Sequence, residues 1–491
     1  MIDRLIYSLH RILGTMLSVL FLMWFLTGIV MIYHRFPSAS HQEKLARYEA
    51  LPDSLPAIET TVGRAGGEDS LKSLSLYAYL GRTYMETGDR ANPKKLLADS
   101  LQTPPKIDGD YLRNVAALWC EAPVARIDTL YRLEQWIPFG RLKKDFPIYK
   151  FHFSDKDKTQ AYLSSATGEV LQCTTHRERV WAWLGAIPHW VYFTWLRQDA
   201  ALWANVIEWI SAAGIFMILA GLYLGIRSYR ISAKRGKGFV SPYKKKWYRW
   251  HHAYGTLFGI FLLTWLLSGM LSLTDTPDWL GKVHQTYPAR SVLNKGLLPL
   301  SSYRLDYRTV AERYAGKATR IDWSSFYRYP SYLVQLKEEG PICIDASGSA
   351  VRPFRLTENQ VCEAVRAIHG EEPFTVTEMT EYDHYYLDRK GRLDLPVWKV
   401  QIDNADKTCY YIHPKTGSFR SVDTHSRWHF QLYQGLHSLR YKVFMGHPAV
   451  WTLVMWSLLL AGAFVSFTGT LLGINYIIRC CKRLKPTRKH E

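Results

Sequence analysis

The stretch WHHAYGTLFGIFLLTWLLSG (residues 250–269) aligns without a gap on LHRILGTMLSVLFLMWFLTG (residues 9–28). Each stretch is apolar along about the length that crosses a bilayer, and each has a histidine at its start. The alignment pairs identical residues: His10 with His251, Gly14 with Gly255, Thr15 with Thr256, Trp24 with Trp265 and Gly28 with Gly269. The histidine therefore belongs to an internal repeat of a membrane segment.

Four apolar runs of near membrane-spanning length occur in the chain, at 12–33, 203–226, 253–273 and 450–478. The first run is long, lacks a small-residue cleavage site and repeats a later segment, so we predict a membrane helix rather than a signal peptide. The sequence therefore predicts an integral membrane protein with four transmembrane helices.

Lysine and arginine predict the orientation. The short loop IRSYRISAKRGKGFVSPYKKKWYRW (226–250) and the tail RCCKRLKPTRKHE (479–491) are densely basic, which predicts that both lie in the cytoplasm together with the amino terminus. The two long segments between the helices are then periplasmic, in the inner membrane of a bacterium. The net charge of +19 is accounted for by contact with anionic lipid and requires no nucleic acid.

The two long segments also repeat each other. FPIYKFHFSDKDKTQAYLSSATGEV (146–170) aligns on LPVWKVQIDNADKTCYYIHPKTGSF (395–419), and alternating apolar residues predict a β-hairpin that ends in a Thr-Gly turn. An upstream helix is predicted at LTENQVCEAVRAIH (356–369), and a further strand pair at YLVQLKEEGPICIDASGSA (332–350). The exterior architecture is predicted to be α+β.

Cysteine usage limits the chemistry of these segments. They contain an odd number of cysteines, which allows at most two disulfides of undetermined pairing: Cys120, Cys173, Cys343, Cys362 and Cys409. No C-x-x-C or C-x-x-C-H motif occurs in the chain, so any haem is expected to be held by non-covalent ligation alone.

The second and fourth apolar runs align as well, with Trp203 on Trp451 and Gly221 on Gly469. The predicted fold is thus a four-transmembrane-helix bundle of two tandem repeats, each with a periplasmic α+β domain, related by an axis along the membrane normal. The predicted boundaries are helix 1 at 1–34, domain 1 at 35–200, helix 2 at 201–227, a basic loop at 228–250, helix 3 at 251–274, domain 2 at 275–446, helix 4 at 447–479 and a cytoplasmic tail at 480–491.

The same alignment places His189 on His437, just outside the membrane. His10 and His251 are then expected to face each other at the cytoplasmic edge, and His189 and His437 at the periplasmic edge. Opposed imidazoles across a bundle suit the two axial positions of haem iron. We predict two non-covalent haems b, each held by one histidine pair, which would give an electron path across the membrane.

Simpler roles for these histidines and glycines stay open at this point. A histidine at a membrane edge is often only interfacial, and repeated glycines can serve only helix packing. Zinc is a weaker alternative because each pair lacks a nearby cysteine or carboxylate to complete a tetrahedral site. The sequence does not decide whether His251 or its neighbour His252 is the ligand.

These motifs carry a resemblance. The resemblance rests on SLHRILG and RWHHAYG at the start of helices 1 and 3, together with YDHYYLDRKGRLDLPVWKV, YYIHPKTG and RWHFQLYQGLHSL. By these motifs the chain is similar, over essentially its full length, to the PepSY-associated transmembrane helix family. The resemblance implies four membrane helices, a periplasmic domain and haem b, as in inner-membrane ferric-siderophore reductases. It implies haem roles for His10, His251 and His437, whereas His189 lies in AIPHWV, which departs from the family's Leu-His pattern.

The expected reaction is one-electron reduction of the iron in a ferric siderophore or other ferric chelate, because Fe(II) binds hard oxygen ligands more weakly than Fe(III). Candidate contacts for substrate or protons are Glu208, about one turn inside the second apolar run, and two aromatic residues, Trp190 and Trp428. No catalytic side chain is predicted. No Gly-rich dinucleotide loop occurs, so a separate donor, a quinol or a flavoprotein, is expected to supply electrons.

Two different functions remain as alternatives. The first is a membrane-anchored PepSY regulator or binding module that inhibits a peptidase and has no redox activity. The second is a metal or siderophore transporter, which is disfavoured because the predicted helices have no interruption.

Overall fold

The computed structural model of the protein describes residues 1–57, 71–89, 92–98, 106–274, 276–388 and 391–484. It contains four helices that are long and apolar enough to cross a membrane. Membrane helix 1 is Ile2–Met31, helix 2 is Ala200–Lys234, helix 3 is Lys246–Leu271 and helix 4 is Pro448–Leu484. Each of the four predicted apolar runs overlaps one of these helices over most of its length. The prediction of a membrane protein with four candidate spans is therefore confirmed.

The four helices pack as a ring. Helix 1 contacts helices 2 and 4, and helix 3 contacts the same two helices. Helices 1 and 3, which carry the aligned histidine motifs, therefore lie diagonally across the bundle. We call the end of the bundle next to the two long segments the domain side, and the end next to the loop 235–245 the loop side.

Close helix packing depends on small residues. A Cβ added to Gly214 would lie 2.5 Å from Phe21 of helix 1, and one added to Gly462 would lie 2.6 Å from Phe25. Glycine at these positions lets the aromatic rings fit against the neighbouring backbone, which is the usual way that membrane helices approach closely without a hydrophobic driving force.

Fourteen strands lie in the described part of the two long segments. They are β1 Leu74–Tyr79, β2 Arg82–Asp89, β3 Asn92–Leu97, β4 Val124–Leu130, β5 Ile148–Phe153, β6 Gln160–Ser164, β7 Val170–Thr174, β8 Ala318–Phe326, β9 Tyr329–Leu336, β10 Gly340–Asp345, β11 Phe374–Met379, β12 Val397–Ile402, β13 Cys409–Ile412 and β14 Phe419–Val422. All of their pairings are antiparallel.

One sheet joins the two long segments. Its strand order is β10-β9-β8-β1-β2-β3, so three strands from each segment meet where β1 pairs with β8. In this register Leu76 lies opposite Ile321, and both side chains are buried in a core to which both segments contribute. The sequence predicts two domains on this side, and pairing between their strands is a feature that the repeat alone does not predict.

Each long segment also has a four-stranded sheet of its own, with the orders β4-β5-β6-β7 and β11-β12-β13-β14. The predicted hairpins are the pairs β5–β6 and β12–β13, and they are followed by turns in which Gly168 and Gly417 have φ of +67° and +68°. The predicted strand pair in the second segment is β9 and β10. These antiparallel sheets and the helices beside them confirm an α+β architecture.

Shorter helices complete the described fold. The predicted helix in the second segment is Glu358–His369, which begins with a capping box at Thr357. The remaining helices are His41–Leu45, Gly109–Ala117, His176–Leu184, Ala186–Trp190, Thr194–Arg197, Asp278–Gly281, Ala289–Leu293, Tyr307–Arg313, Thr424–His429, Leu436–Ser438 and Lys442–Met445, with 3-10 turns at Gly140–Asp145 and Leu300–Ser302 and a π-helical turn at Phe430–Gly435. All seven cysteines of the chain lie in the described residues and are free thiols there.

The shared sheet generates a stability prediction. Ile321→Ala, in the middle of β8, is expected to destabilise the protein by about 2–5 kcal/mol because it leaves a cavity in a core that both segments form. The measurement is the midpoint of thermal unfolding in detergent. Val124→Ala, at a 36% exposed position on β4, is the control. Equal shifts of the midpoint in the two variants would contradict the shared core.

Candidate functional site

Two histidines face each other near the loop side of the bundle. His10 on helix 1 and His251 on helix 3 have ring centres 6.2 Å apart, with an interplanar angle of 41°. Both helices are continuous through these positions, so the diagonal arrangement of helices 1 and 3 brings the two rings together. The structure thus places the first predicted pair as the repeat suggests.

A hydrogen bond to the neighbouring helix orients each of these rings. Nδ1 of His10 lies 2.9 Å from the carbonyl oxygen of Met217, which can only accept. Nδ1 of His251 lies 3.0 Å from Oγ1 of Thr468, and that hydroxyl donates its own proton to the carbonyl of Val465. Both Nδ1 atoms are therefore protonated donors, which leaves each Nε2 with its lone pair. Neither Nε2 atom has a hydrogen bond within the described residues.

The second pair lies near the domain side. His189, in the short helix Ala186–Trp190, and His437, in the short helix Leu436–Ser438, have ring centres 6.5 Å apart at 63°. Burial, with a contribution from the neighbouring His437, lowers the pKa of His189 to about 4, and burial also lowers the pKa of His437. Both rings are therefore neutral at physiological pH, which is the state of imidazole that binds a metal.

The hydrogen bonds of the second pair follow the same scheme. Nδ1 of His189 lies 3.2 Å from the Thr27 hydroxyl, which donates to the Met23 carbonyl, and 3.2 Å from the Trp24 carbonyl. Nδ1 of His437 lies 3.1 Å from the Ser268 hydroxyl, which donates to the carbonyl of Trp265.

In the sequence repeat, Trp24 aligns with Trp265 and Thr27 with Ser268. The partners of the second pair are thus equivalent residues of helices 1 and 3. All four half-buried histidines of these pairs therefore carry their proton on Nδ1 and direct it to a membrane helix.

Two tryptophans hold the segments that carry the second pair. The indole of Trp203, at the start of helix 2, donates to the carbonyl of Trp190 over 2.8 Å. The indole of Trp451, at the start of helix 4, donates to the carbonyl of Ser438 over 2.8 Å. Each accepting residue directly follows a histidine of the pair, so each indole fixes the backbone beside one imidazole.

A glycine faces each ring. A Cβ added to Gly221 would lie 2.6 Å from Cε1 of His10, and one added to Gly469 would lie 3.3 Å from Cε1 of His251. A Cβ added to Gly28 would lie 3.5 Å from Cε1 of His189, and one added to Gly269 would lie 3.6 Å from Cε1 of His437. The glycines that we expected to give room, Gly14 and Gly255, line the loop-side cavity but do not touch the rings.

The two pairs are far apart along the bundle. His10 lies near the loop-side end of helix 1, while Gly28, which faces His189, lies 18 residues further along the same helix. At a rise of 1.5 Å per residue this separation is about 27 Å, close to the thickness of the hydrocarbon core of a bilayer.

A cavity surrounds each pair. The loop-side cavity has a volume of about 270 Å³, and its lining includes His10, His251 and the glycines Gly14, Gly221, Gly255 and Gly469. The domain-side cavity is larger, about 620 Å³, and is lined by His189, His437 and several aromatic side chains, among them Trp24, Trp190, Tyr192, Trp203, Trp265, Tyr433 and Trp451.

Each pair holds two imidazole rings, with ring centres 6.2 Å apart in the first pair and 6.5 Å apart in the second. A metal centre between the two rings of a pair would receive two nitrogen ligands from the protein. A haem would need no further protein ligand there, because its macrocycle supplies the other four.

Zinc would need further ligands, and the described residues contain no group of three or more His, Cys, Asp and Glu side chains that could hold a metal ion. The described residues therefore fit a haem better than a tetrahedral metal ion.

His251 and His252 differ in their hydrogen bonds. Both nitrogens of His252 have partners, Nδ1 with the Ser241 hydroxyl at 2.9 Å and Nε2 with the Gly225 carbonyl at 3.1 Å. Nε2 of His251 has no such partner within the described residues, so a metal ligand at this position is compatible with His251 and not with His252.

The remaining candidate contacts are dispersed. Trp190 lines the domain-side cavity, but Glu208 and Trp428 are not among the residues that line either cavity. Glu208 is half-buried about two turns inside helix 2, and Trp428 packs beside Gly281. The structure thus brings His10 together with His251 and His189 together with His437, places Trp190 in the cavity of the second pair, and leaves Glu208 and Trp428 outside both cavities.

Sequence reasoning missed the residues that orient and space the rings. Thr27, Ser268 and Thr468 accept the Nδ1 protons, and Gly221 and Gly469 make room for the first pair. The sequence signal was present, because Thr27 aligns with Ser268 and Gly221 with Gly469 in the repeat. Their function depends on a contact with another helix, and the alignment contains no such information.

The glycine opposite His10 generates a prediction. Gly221→Ala is expected to destabilise the protein by about 1–3 kcal/mol, because the new Cβ overlaps the imidazole and the ring must move. Gly14→Ala is the matched control, since its Cβ would meet only Met217 Sδ at an ordinary 3.7 Å. Thermal unfolding in detergent measures both. If Gly221→Ala is as stable as Gly14→Ala, the close contact is wrong.

Comparison of the chain with models of known protein families found no match, and no curated protein matched it either. The similarity to the PepSY-associated transmembrane helix family therefore stays a prediction that rests on the quoted motifs.

Proposed function

We propose that the protein is a di-haem b electron-transfer protein of the bacterial inner membrane that reduces chelated ferric iron on its domain side, which is the periplasmic side. The observation that carries the proposal is that two histidine pairs lie at opposite ends of one bundle. In each of the four histidines, Nδ1 is hydrogen-bonded to a membrane helix and Nε2 has no partner in the described residues.

In this proposal His10 and His251 hold one haem, and His189 and His437 hold the other. A bound haem supplies one-electron chemistry, because its iron cycles between the ferric and ferrous states. The hydrogen bonds from Nδ1 fix the tautomer and the direction of each ring, and such partners also raise the basicity of a ligand.

The aromatic side chains around the domain-side pair have a separate role. The backbone carbonyls of Trp24 and Trp265 contact the imidazoles of His189 and His437. Trp24, Trp265 and Trp451 also line the cavity. An apolar wall of this kind excludes water from the ligand nitrogens, and solvent exposure is one of the factors that set the potential of a metal centre.

The reaction is balanced by two half-reactions. The acceptor, Fe(III) in an oxygen-ligand chelate, gains one electron and becomes Fe(II), which such ligands hold more weakly, so the iron is released. The electron comes from a separate donor on the loop side, either a quinol or a reduced flavoprotein. A quinol that is oxidised to a quinone gives up two electrons, which reduce two Fe(III) ions in turn, and releases two protons on the loop side. The larger, domain-side cavity is the entry for the acceptor, with Trp190 as a contact.

The proposed orientation rests on the basic loop and tail at the other end of the bundle. The alignments of the two halves support their origin as tandem repeats and the proposed relationship to PepSY proteins. The hydrogen-bond partners of His189 and His437, which occupy equivalent positions of helices 1 and 3, support the same origin. A membrane-anchored PepSY regulator is the alternative function, and a protein that binds no haem would favour it.

The ligand assignment makes a prediction about haem content. The protein purified in detergent is expected to contain two haems b per chain with low-spin spectra. His10→Ala or His251→Ala is expected to leave only the domain-side haem, and His189→Ala or His437→Ala only the loop-side one. Pyridine haemochrome quantitation measures the ratio.

His252→Ala is the matched control for His251→Ala, because the two residues are neighbours on helix 3 but His252 has both nitrogens occupied. It is expected to retain two haems. Two haems in all four ligand variants, or a colourless parent protein, would overturn the assignment.

The proposed reaction makes a second prediction. Addition of a ferric siderophore to the dithionite-reduced protein, after removal of excess reductant, is expected to reoxidise it, and His437→Ala is expected to slow the reoxidation by about tenfold or more. Stopped-flow absorbance follows the reaction. The gallium(III) form of the same chelate is the control, since it cannot accept the electron. A reduced protein that is equally stable with the ferric and gallium chelates would refute the reductase function.

A further inference from the structure

The domain-side cavity is apolar at the histidines and charged at its outer end. The charged residues that line it are three arginines and one aspartate: Arg35, Arg392, Arg440 and Asp388. The described lining therefore carries two positive charges in excess. All four charged residues lie outside the membrane helices, and we call the part of the cavity that they line its outer end. The other lining residues are mostly aromatic, aliphatic or small.

Arg35 lies where the chain leaves helix 1, and its backbone is fixed on both sides. His34 stacks on Trp181 with ring centres 4.2 Å apart at 8°, and Phe36 packs against Trp136 and Phe139. The side chain of Arg35 itself is exposed and has no hydrogen bond or ion pair within the described residues. The neighbours of Arg35 thus position its backbone beside the cavity, and its guanidinium has no partner within the described residues.

The opposite wall is organised by the second long segment. Nε of Arg392 lies 3.1 Å from Oδ2 of Asp388, whose side chain is only 8% exposed, and Nη2 of Arg440 donates to the Leu387 carbonyl over 3.1 Å. These bonds join Arg392 to Asp388 and Arg440 to the backbone of Leu387. They position two more guanidinium groups in the cavity lining, one of them paired with a carboxylate.

We propose that this outer end of the domain-side cavity is a binding site for carboxylate groups, with Arg35 as its main contact. Guanidinium groups pair with carboxylates through two parallel, charge-assisted hydrogen bonds. The excess positive charge discriminates against cationic ligands. Tyr192 and Tyr433 provide flat apolar contacts for the rest of the ligand.

Carboxylates of this kind have two sources. One is an anionic ferric chelate, which would make the acceptor class of the proposed reductase negatively charged. The other is the propionate groups of the haem held by His189 and His437. The identity of either source rests on the proposed function, whereas the carboxylate site itself rests only on the arginines, and the experiment separates the two.

The first arm measures binding without reduction. Gallium(III) citrate, an anionic chelate that accepts no electron, is titrated into the purified full-length protein, and quenching of tryptophan fluorescence reports binding. Arg35→Gln is expected to weaken binding about tenfold, which corresponds to roughly 1.4 kcal/mol, with a larger effect at low salt and partial recovery in Arg35→Lys. Binding of a cationic gallium hydroxamate is expected to be unchanged.

Arg132→Gln is the matched control. Arg132 is an exposed arginine of the same long segment that neither lines the domain-side cavity nor forms a hydrogen bond or ion pair within the described residues. Its substitution removes the same charge, so any general effect of net charge on anion binding appears in both variants. Only a loss specific to Arg35→Gln supports the site.

The second arm measures the haem itself. If the propionates occupy the site, Arg35→Gln is expected to lower the haem content or shift the midpoint potential of one haem, while the affinity for gallium citrate stays as in the parent. Unchanged haem content, unchanged potentials and unchanged anion affinity together would overturn the proposal. A colourless parent protein that binds gallium citrate through Arg35 would overturn the proposed function but keep the site.

Discussion

The hydrogen bond from Nδ1 of each paired histidine, His10, His251, His189 and His437, to a membrane helix is the interaction on which the rest of this structure depends. Within a bilayer an unpaired N–H is costly, so each ring must lie where an acceptor is available. That acceptor is a backbone carbonyl of helix 2 for His10 and a hydroxyl of helix 4 for His251. The bond fixes the tautomer, the ring direction and the distance between helices together, and a glycine opposite each ring permits that distance.

The exterior part of the chain supports the same geometry from outside. His189 and His437 lie in short helices that two tryptophan indoles attach to the starts of helices 2 and 4. The two long segments are joined by the pairing of β1 with β8, so the halves of the molecule are connected on the domain side as well as through the bundle. A rigid support of this kind keeps two side chains from different halves at a defined separation, which a cofactor site requires.

The two ends of the bundle differ in ways that suit different tasks. The loop-side pair lies in a smaller cavity, and the domain-side pair lies in a larger one whose outer end is positively charged. In the proposed function this difference separates the entry of electrons from the entry of the acceptor. The charge at the outer end then limits which acceptors bind, and aromatic side chains line the same cavity as the histidine pair.

The sequence by itself determined the four membrane helices, the α+β segments and the pairing of His10 with His251 and of His189 with His437, because apolar length, alternation and repetition are properties of the chain alone. The tertiary structure decided the rest. It separated His251 from His252, since adjacent residues of a helix point in different directions and only one of them faces helix 1. It placed Trp190 in the cavity lining and left Glu208 and Trp428 outside it. It also joined the two long segments through β1 and β8, because strand pairing depends on contacts between residues that are far apart in the sequence.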